Sequence, residues 1–249
     1  ARSLEVRTPR RFQTTESAYD FLSREKRRVV VRSPHELAKI RPTYVDEAPH
    51  LSRAVEAVQD VTGLNPILTE YVRGNGVGFC ALYKNGTLVD FYMHRRLRET
   101  PLSGGASTFA ESVFLPTAAS EAKKLLDALE WHGVAMVEFK EVDGECFLME
   151  INPKFWGSYQ LGQYLGIDFA QRLVQWDSKS WEPVEGLSLT PKYETGRKFS
   201  WLLDGDVRAV RESGQSVRSL VEGMLCGSIG VDVCPQDSLP DIYAVVAGV

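Results

Sequence analysis

Val137-Glu138-Phe139-Lys140, then Asp143-Gly144, then Leu148-Met149-Glu150-Ile151-Asn152-Pro153-Lys154-Phe155 reads as two apolar strands joined by a short turn, with acid and amide groups spaced along them. Alternate side chains of a strand share a face, so Glu150 and Asn152 point the same way. Glu138 joins them if the turn sets the right register. Three hard oxygen donors on one face of a hairpin suit Mg²⁺, which takes carboxylate, amide, water and phosphate oxygens. The competing explanation is two half-buried strands whose acids face water.

Outward from the hairpin, Leu115 to Trp131 reads as a helix, with Ala118, Leu125, Leu126 and Leu129 on one stripe. Phe79–Tyr83 and Thr87–His94 read as strands around Asn85-Gly86, a strong hairpin signal. Gly74, Gly76 and Gly78 are expected to break the chain ahead of them, and Arg95-Arg96-Leu97-Arg98 to Ser103-Gly104-Gly105 to form a polar, basic loop behind. Ile67–Val72 reads as a strand, and residues 47–62 as a helix stopped by Gly63. Ser33-Pro34-His35-Glu36 has the cap, proline and acid that start a helix after the β run Val29-Val30-Val31. Residues 1–28, rich in Arg, Thr and Ser, show no period and read as a mobile basic loop. Helices are expected near 155–165, 168–177 and 208–224, and a short strand or tail at 242–249. Trp181, Tyr193, Phe199 and Trp201 read as packing groups.

The chain has 249 residues, 43% hydrophobic and 25% charged, the composition of an ordinary globular protein of one large or two small domains. Its net charge of -4 argues against a non-specific nucleic-acid binder. No apolar run reaches the roughly 20 residues of a membrane helix, and charges interrupt the first seven residues, so they do not read as a secretory signal. Cys80, Cys146, Cys226 and Cys234 are far apart without a CxxC pair, which fits reduced thiols and a cytoplasmic location. The four histidines are scattered, against a His-based metal site.

Four stretches together, Leu68-Thr69-Glu70-Tyr71-Val72-Arg73-Gly74, Arg95 to Gly105, Val137-Glu138-Phe139 and Met149 to Lys154, resemble the ATP-grasp superfamily. The resemblance covers roughly residues 30–175 and points to the carboxylate–amine ligase branch, of the type of the carbamoyl phosphate synthase large subunit. It implies an α+β ATP-grasp fold: two subdomains gripping ATP around an antiparallel sheet, with residues 1–72 in the small subdomain, 73–180 in the large one and 181–249 as an extension packed on the latter.

By the same resemblance, Glu138, Glu150 and Asn152 hold Mg²⁺, with Mn²⁺ able to substitute, and Glu150 bridges two ions. Thr69, Glu70, Tyr71 and Val72 form the adenine hinge, through the Glu70 carbonyl and the Val72 N–H, and Met149 lines the adenine pocket. Lys154 stands where the family usually has Arg and, with Arg96, stabilises developing negative charge; as a point charge it lacks the bidentate fork of Arg. Arg98, Ser103, Gly104 and Gly105 form a substrate and phosphate loop, in which Arg96 and Arg98 converge if Leu97 packs inward.

A two-residue turn at Asp143-Gly144 alone would pair Glu138 with Met149 and send Glu150 to the wrong face. The metal site requires an odd loop or a bulge, and a three-residue turn Val142-Asp143-Gly144 with Gly144 at positive φ is the expected solution.

The resemblance also leaves the family's N-terminal domain and its α-phosphate lysine without a counterpart. Either Arg32 replaces that lysine, or the lysine precedes Ala1 and residues 1–28 cover the phosphates. The second alignment is preferred, because a helix start follows Val31 directly; the chain is then N-terminally incomplete and weakly active in isolation. The implied function is an ATP- and Mg²⁺-dependent ligase module that activates a carboxylate as an acyl phosphate for attack by an amine. A nucleotide-binding but catalytically silent module is the alternative, and a carboxylating enzyme of the biotin type a third, disfavoured because no biotin-attachment segment is present. The implied partners are a small carboxylate and an amine, with a homodimer as the conceivable assembly and no nucleic acid or membrane.

Overall fold

The computed structural model describes residues 1–35, 40–100, 105–176, 189–214 and 217–232. The chain forms two compact units, one of residues 7–73 with Arg2, the other of Ala1, residues 3–6 and residues 74–249.

The smaller unit contains β1 (Arg11–Phe12), α1 (Thr15–Glu25), β2 (Val29–Arg32), β3 (Thr43–Val45), α2 (Leu51–Thr62) and β4 (Ile67–Glu70). Its strands pair antiparallel in the order β1-β4-β2-β3. Residues 1–28 are therefore not a loop. Thr14 caps α1 by accepting from the Ser17 N–H, and the Ser17 hydroxyl returns the bond in a capping box. Ala18, Phe21 and Leu22 then lie at helical spacing on one face, and that stripe is buried against Phe12, Val29, Leu51 and Val55. The expected helix start at Ser33–Glu36 runs into residues 36–39, outside the described residues.

The larger unit contains β5 (Asn75–Lys84), β6 (Thr87–Thr100), β7 (Ala106–Ser112), α3 (Pro116–Ala128), β8 (Gly133–Val142), β9 (Glu145–Asn152), α4 (Tyr159–Tyr164), α5 (Phe169–Gln175), β10 (Lys198–Ser200), α6 (Val207–Glu212), α7 (Val217–Leu225) and β11 (Ile229–Val231). Its described strands form one sheet in the order β11-β10-β7-β6-β5-β8-β9, antiparallel except for β10 with β11. Phe79, Tyr83, Phe91, Leu126, Phe139 and Trp201 are among its fully buried core groups. Tyr193 and Phe199 are buried as expected, whereas Trp181 and residues 242–249 lie outside the described residues.

Three readings of this unit are corrected. Gly76 and Gly78 lie inside β5 rather than breaking the chain. They are glycines because side chains from β6 lie on them: a Cβ at Gly78 would sit 2.4 Å from the His94 ring, and one at Gly76 2.9 Å from Arg96 Cδ. The basic stretch after His94 is strand as far as Thr100, paired with β7. The expected helix over 208–224 is two helices, α6 ending at Ser213-Gly214, where Gly214 has φ 69°.

Candidate functional site

Two residues of positive φ, Asp143 (50°) and Gly144 (84°), make a two-residue turn between Val142 and Glu145, not the three-residue turn expected. A bulge supplies the odd residue instead. Pairing runs Val142↔Glu145 to Phe139↔Leu148, then resumes at Glu138↔Glu150, which leaves Met149 unpaired. Glu138 and Glu150 thus stand opposite each other, and Asn152 follows on the same face opposite Met136.

The side chains meet. Asn152 Nδ2 donates to Glu138 Oε1 at 3.1 Å and to Glu150 Oε1 at 2.8 Å. Arg96 Nη2 reaches Glu138 Oε2 at 2.7 Å. Glu138 and Arg96 are mostly buried, with 18% and 17% of their side chains exposed, while Glu150 is open to solvent. Burial raises the Glu138 pKa above the usual carboxylate value, a tendency that the Arg96 guanidinium opposes and the Glu150 charge reinforces.

These four residues line a cleft of about 330 Å³ together with Gly105, Lys154 and residues 155–158. Its far wall is tied down from β6. Trp156 Nε1 donates to the Tyr92 hydroxyl at 2.8 Å, and that hydroxyl donates to the Ser158 carbonyl at 3.1 Å. The fully buried His94 places Nε2 3.4 Å from Ser158 Oγ and Nδ1 3.7 Å from Cys80 Sγ. Lys154 is exposed on this segment.

Arg96 and Arg98 of β6 do not converge. Pairing with β7 is irregular between Arg96 and Arg98 and again between Arg98 and Glu99. Leu97 is exposed rather than packed inward. Arg98 makes a two-pronged ion pair with the buried Asp206, at 2.8 and 2.7 Å, and its guanidinium lies over Phe109. The irregularity instead brings Glu99 beside Arg96, at 3.5 Å from Nη1, a neighbour that no sequence motif announced. Ser103 and Gly104 lie outside the described residues, whereas the Gly105 carbonyl is 3.5 Å from Arg96 Nη1.

The expected hinge residues belong to the smaller unit. Thr69 is buried in β4, and Val72 is buried just beyond it. The Glu70 carboxylate accepts from the Arg10 N–H at 2.9 Å and pairs with Arg27 at 3.1 Å, so its side chain has local partners. Tyr71 donates its N–H to the Arg28 carbonyl and holds its ring edge-on to Tyr44. Met149, the bulged residue, is half-buried in the larger unit.

Two carboxylates and an amide on one sheet face suit a hard divalent cation once the Asn152 amide, which here turns its NH₂ toward both glutamates, presents its oxygen. Among the described residues no three His, Cys, Asp or Glu side chains form a group that could hold a metal ion.

No protein-family model matches the chain, and no curated protein matches it in sequence. Solved structures do match. The biotin carboxylase–β,γ-ATP complex of Campylobacter jejuni superposes with a TM-score of 0.59 at 13% identity, over 79% of this chain and 47% of that one. The D-alanyl-alanine synthetase A of Vibrio cholerae gives 0.56 at 12%, over 70% and 60%. The biotin carboxylase domain of Hydrogenobacter thermophilus 2-oxoglutarate carboxylase, in complex with MgADP, ADP and bicarbonate, gives 0.53 at 12%, over 70% and 42%. The chain spans about half the length of these structures. At such identity the likeness speaks for architecture alone, and that architecture is the ATP-grasp fold, α+β with a mostly antiparallel sheet.

Proposed function

We propose that this chain binds Mg²⁺ and ATP and serves as a ligase module that joins a carboxylate to an amine, in the manner of the carbamoyl phosphate synthase branch. The observation that carries the reading is the Met149 bulge: without it, Glu138, Glu150 and Asn152 could not share a face. The bulge gathers the three side chains in one cleft with Arg96 and Lys154.

Bound Mg²⁺ would offset the triphosphate charge and align the γ-phosphate with its attacker. The chain's own groups do the rest. Lys154 and Arg96 face the cleft and hold the phosphoryl oxygens or the substrate carboxylate. A carboxylate oxygen attacks the γ-phosphorus and ADP leaves; the amine then attacks the acyl carbon and phosphate leaves. Trp156 and Ser158 line the same cleft. In the smaller unit, the Glu70 carbonyl and the Val72 N–H are the backbone groups offered to the adenine.

Calorimetric titration with ATP, with and without Mg²⁺, tests the reading. Wild type binds only in the presence of the metal, and Glu150→Ala loses that dependence. Equal Mg²⁺-dependent binding by the two proteins would rule out the metal assignment. Release of ADP and phosphate on adding carboxylate and amine then distinguishes a ligase from a silent nucleotide binder.

A further inference from the structure

The metal assignment leaves one contact unexplained. The carboxylate of Glu138 already has a partner of full opposite charge, the guanidinium of Arg96 at 2.7 Å. Its other oxygen accepts from the Asn152 amide, which turns its NH₂ group rather than its oxygen toward both glutamates. A cation that takes Glu138 competes with Arg96 for it, and the Asn152 amide must turn over to offer its oxygen.

A second seat for the guanidinium exists close by. Arg96 Nη1 is 3.5 Å from Glu99 Oε1 and 3.5 Å from the Gly105 carbonyl oxygen, too long for strong bonds but within a small rotation of them. Gly76 lies beneath, where a Cβ would be 2.9 Å from Arg96 Cδ and 3.2 Å from Glu99 Oε1, so the backbone is bare where both side chains run. The irregular pairing of β6 with β7 is what puts Glu99 on this side.

We infer that Arg96 is a stand-in cation that neutralises Glu138 in the metal-free site and is displaced onto Glu99 and the Gly105 carbonyl when a divalent cation binds. The inference rests on the metal reading and adds a direction to it. Metal loading frees a guanidinium beside the cleft at the moment an anion is to be held, so metal and phosphate binding reinforce each other. It also keeps Glu138 from standing charged and unpaired in a mostly buried site.

Manganese titration of the nucleotide-free protein, followed by electron paramagnetic resonance of the free ion, tests this on wild type, Arg96→Gln, Glu99→Gln and Glu138→Gln, with circular dichroism to confirm folding. Arg96→Gln should bind Mn²⁺ about tenfold more tightly than wild type, the size expected for removing one charged competitor. Glu99→Gln should bind it more weakly, because the released guanidinium has lost its charged acceptor. Unchanged or weaker binding by Arg96→Gln overturns the inference. If Arg96→Gln fails to fold, the Glu99→Gln result decides alone, and binding equal to wild type overturns it. Failure of the underlying reading looks different: Glu138→Gln would then bind Mn²⁺ no worse than wild type.

Discussion

Residue identities told more about chemistry than about geometry. Glu138, Glu150 and Asn152 could be named from oxygen-donor type and alternation, and the structure brings all three to one cleft. Arg98 could not be placed, because strict alternation puts it beside Arg96, and the irregular pairing that sends it to Asp206 has no sequence signature. Arg98→Met should leave the Asp206 carboxylate buried with the Ser200 hydroxyl as its remaining side-chain donor, costing about 3–5 kcal/mol in a urea melt. Replacing both partners by Arg98→Met with Asp206→Leu should recover most of that loss. His94 was read only as one of four scattered histidines, although the glycine at position 78 made its burial possible. Burial, with a smaller contribution from Arg96, pulls its pKa down to about 3 from the ordinary 6.5, and Cys80 and Ser158 face its two nitrogens without a charge to offset this. Between those values the unfolded chain takes up a proton that the folded chain refuses, so His94 lowers stability as pH falls below 6.5 and has no such effect above it. Relative to wild type, His94→Gln should lose about 2 kcal/mol less between pH 7 and pH 5, at about 1.4 kcal/mol per pH unit, measured by urea denaturation at both values.

Elements were legible where local chemistry dominates. Asn85-Gly86 and Asp143-Gly144 both adopt the left-handed pairs that two-residue hairpins need, at φ 49° and 79° and at 50° and 84°. Gly63, at φ 68°, ends α2 as read. Helix α1 was missed because its cap pairs Thr14 with Ser17 rather than with an acid, and charged residues flank its short apolar stripe. The last six residues of β6 were missed because their charged side chains serve a site and a buried pair rather than a solvent face, which hides the alternation. Register was the hardest property, since one residue reverses a face and the sequence of β9 does not say which residue is extra. Deleting Met149 closes the ladder from Phe139↔Leu148 directly to Glu138↔Glu150, so Glu150 and Asn152 should stay on the face of Glu138 and Mn²⁺ binding should persist with the Asp143-Gly144 turn intact. Gly144→Ala acts on the turn instead. It strains a positive-φ position by about 1–2 kcal/mol and lowers the melting temperature, but it leaves register and metal affinity in place.

At the scale of the molecule, each unit has its own core: a small one built on Phe12, Phe21, Leu51 and Leu68, and a larger one on the seven-stranded sheet. All the proposed metal donors and both cleft cations belong to the larger unit, whereas the proposed adenine-binding backbone belongs to the smaller. Ligands should therefore stabilise the units unequally, and amide hydrogen exchange can read each one. Mg²⁺ alone at 100 times its dissociation constant is worth about 2.7 kcal/mol to whatever binds it. That gain should appear as slowed exchange at Glu138, Glu150 and their strand neighbours in β5, with β2 and β4 unchanged. ATP added with Mg²⁺ should extend the protection to Tyr71 and Val72. Protection confined to β8 and β9 after ATP would remove the adenine role from residues 69–72 and leave the metal hairpin standing. Protection at Tyr71 and Val72 with ATP but no metal would mean that nucleotide binding does not need the hairpin, and the coupling proposed through Arg96 would have nothing to act on.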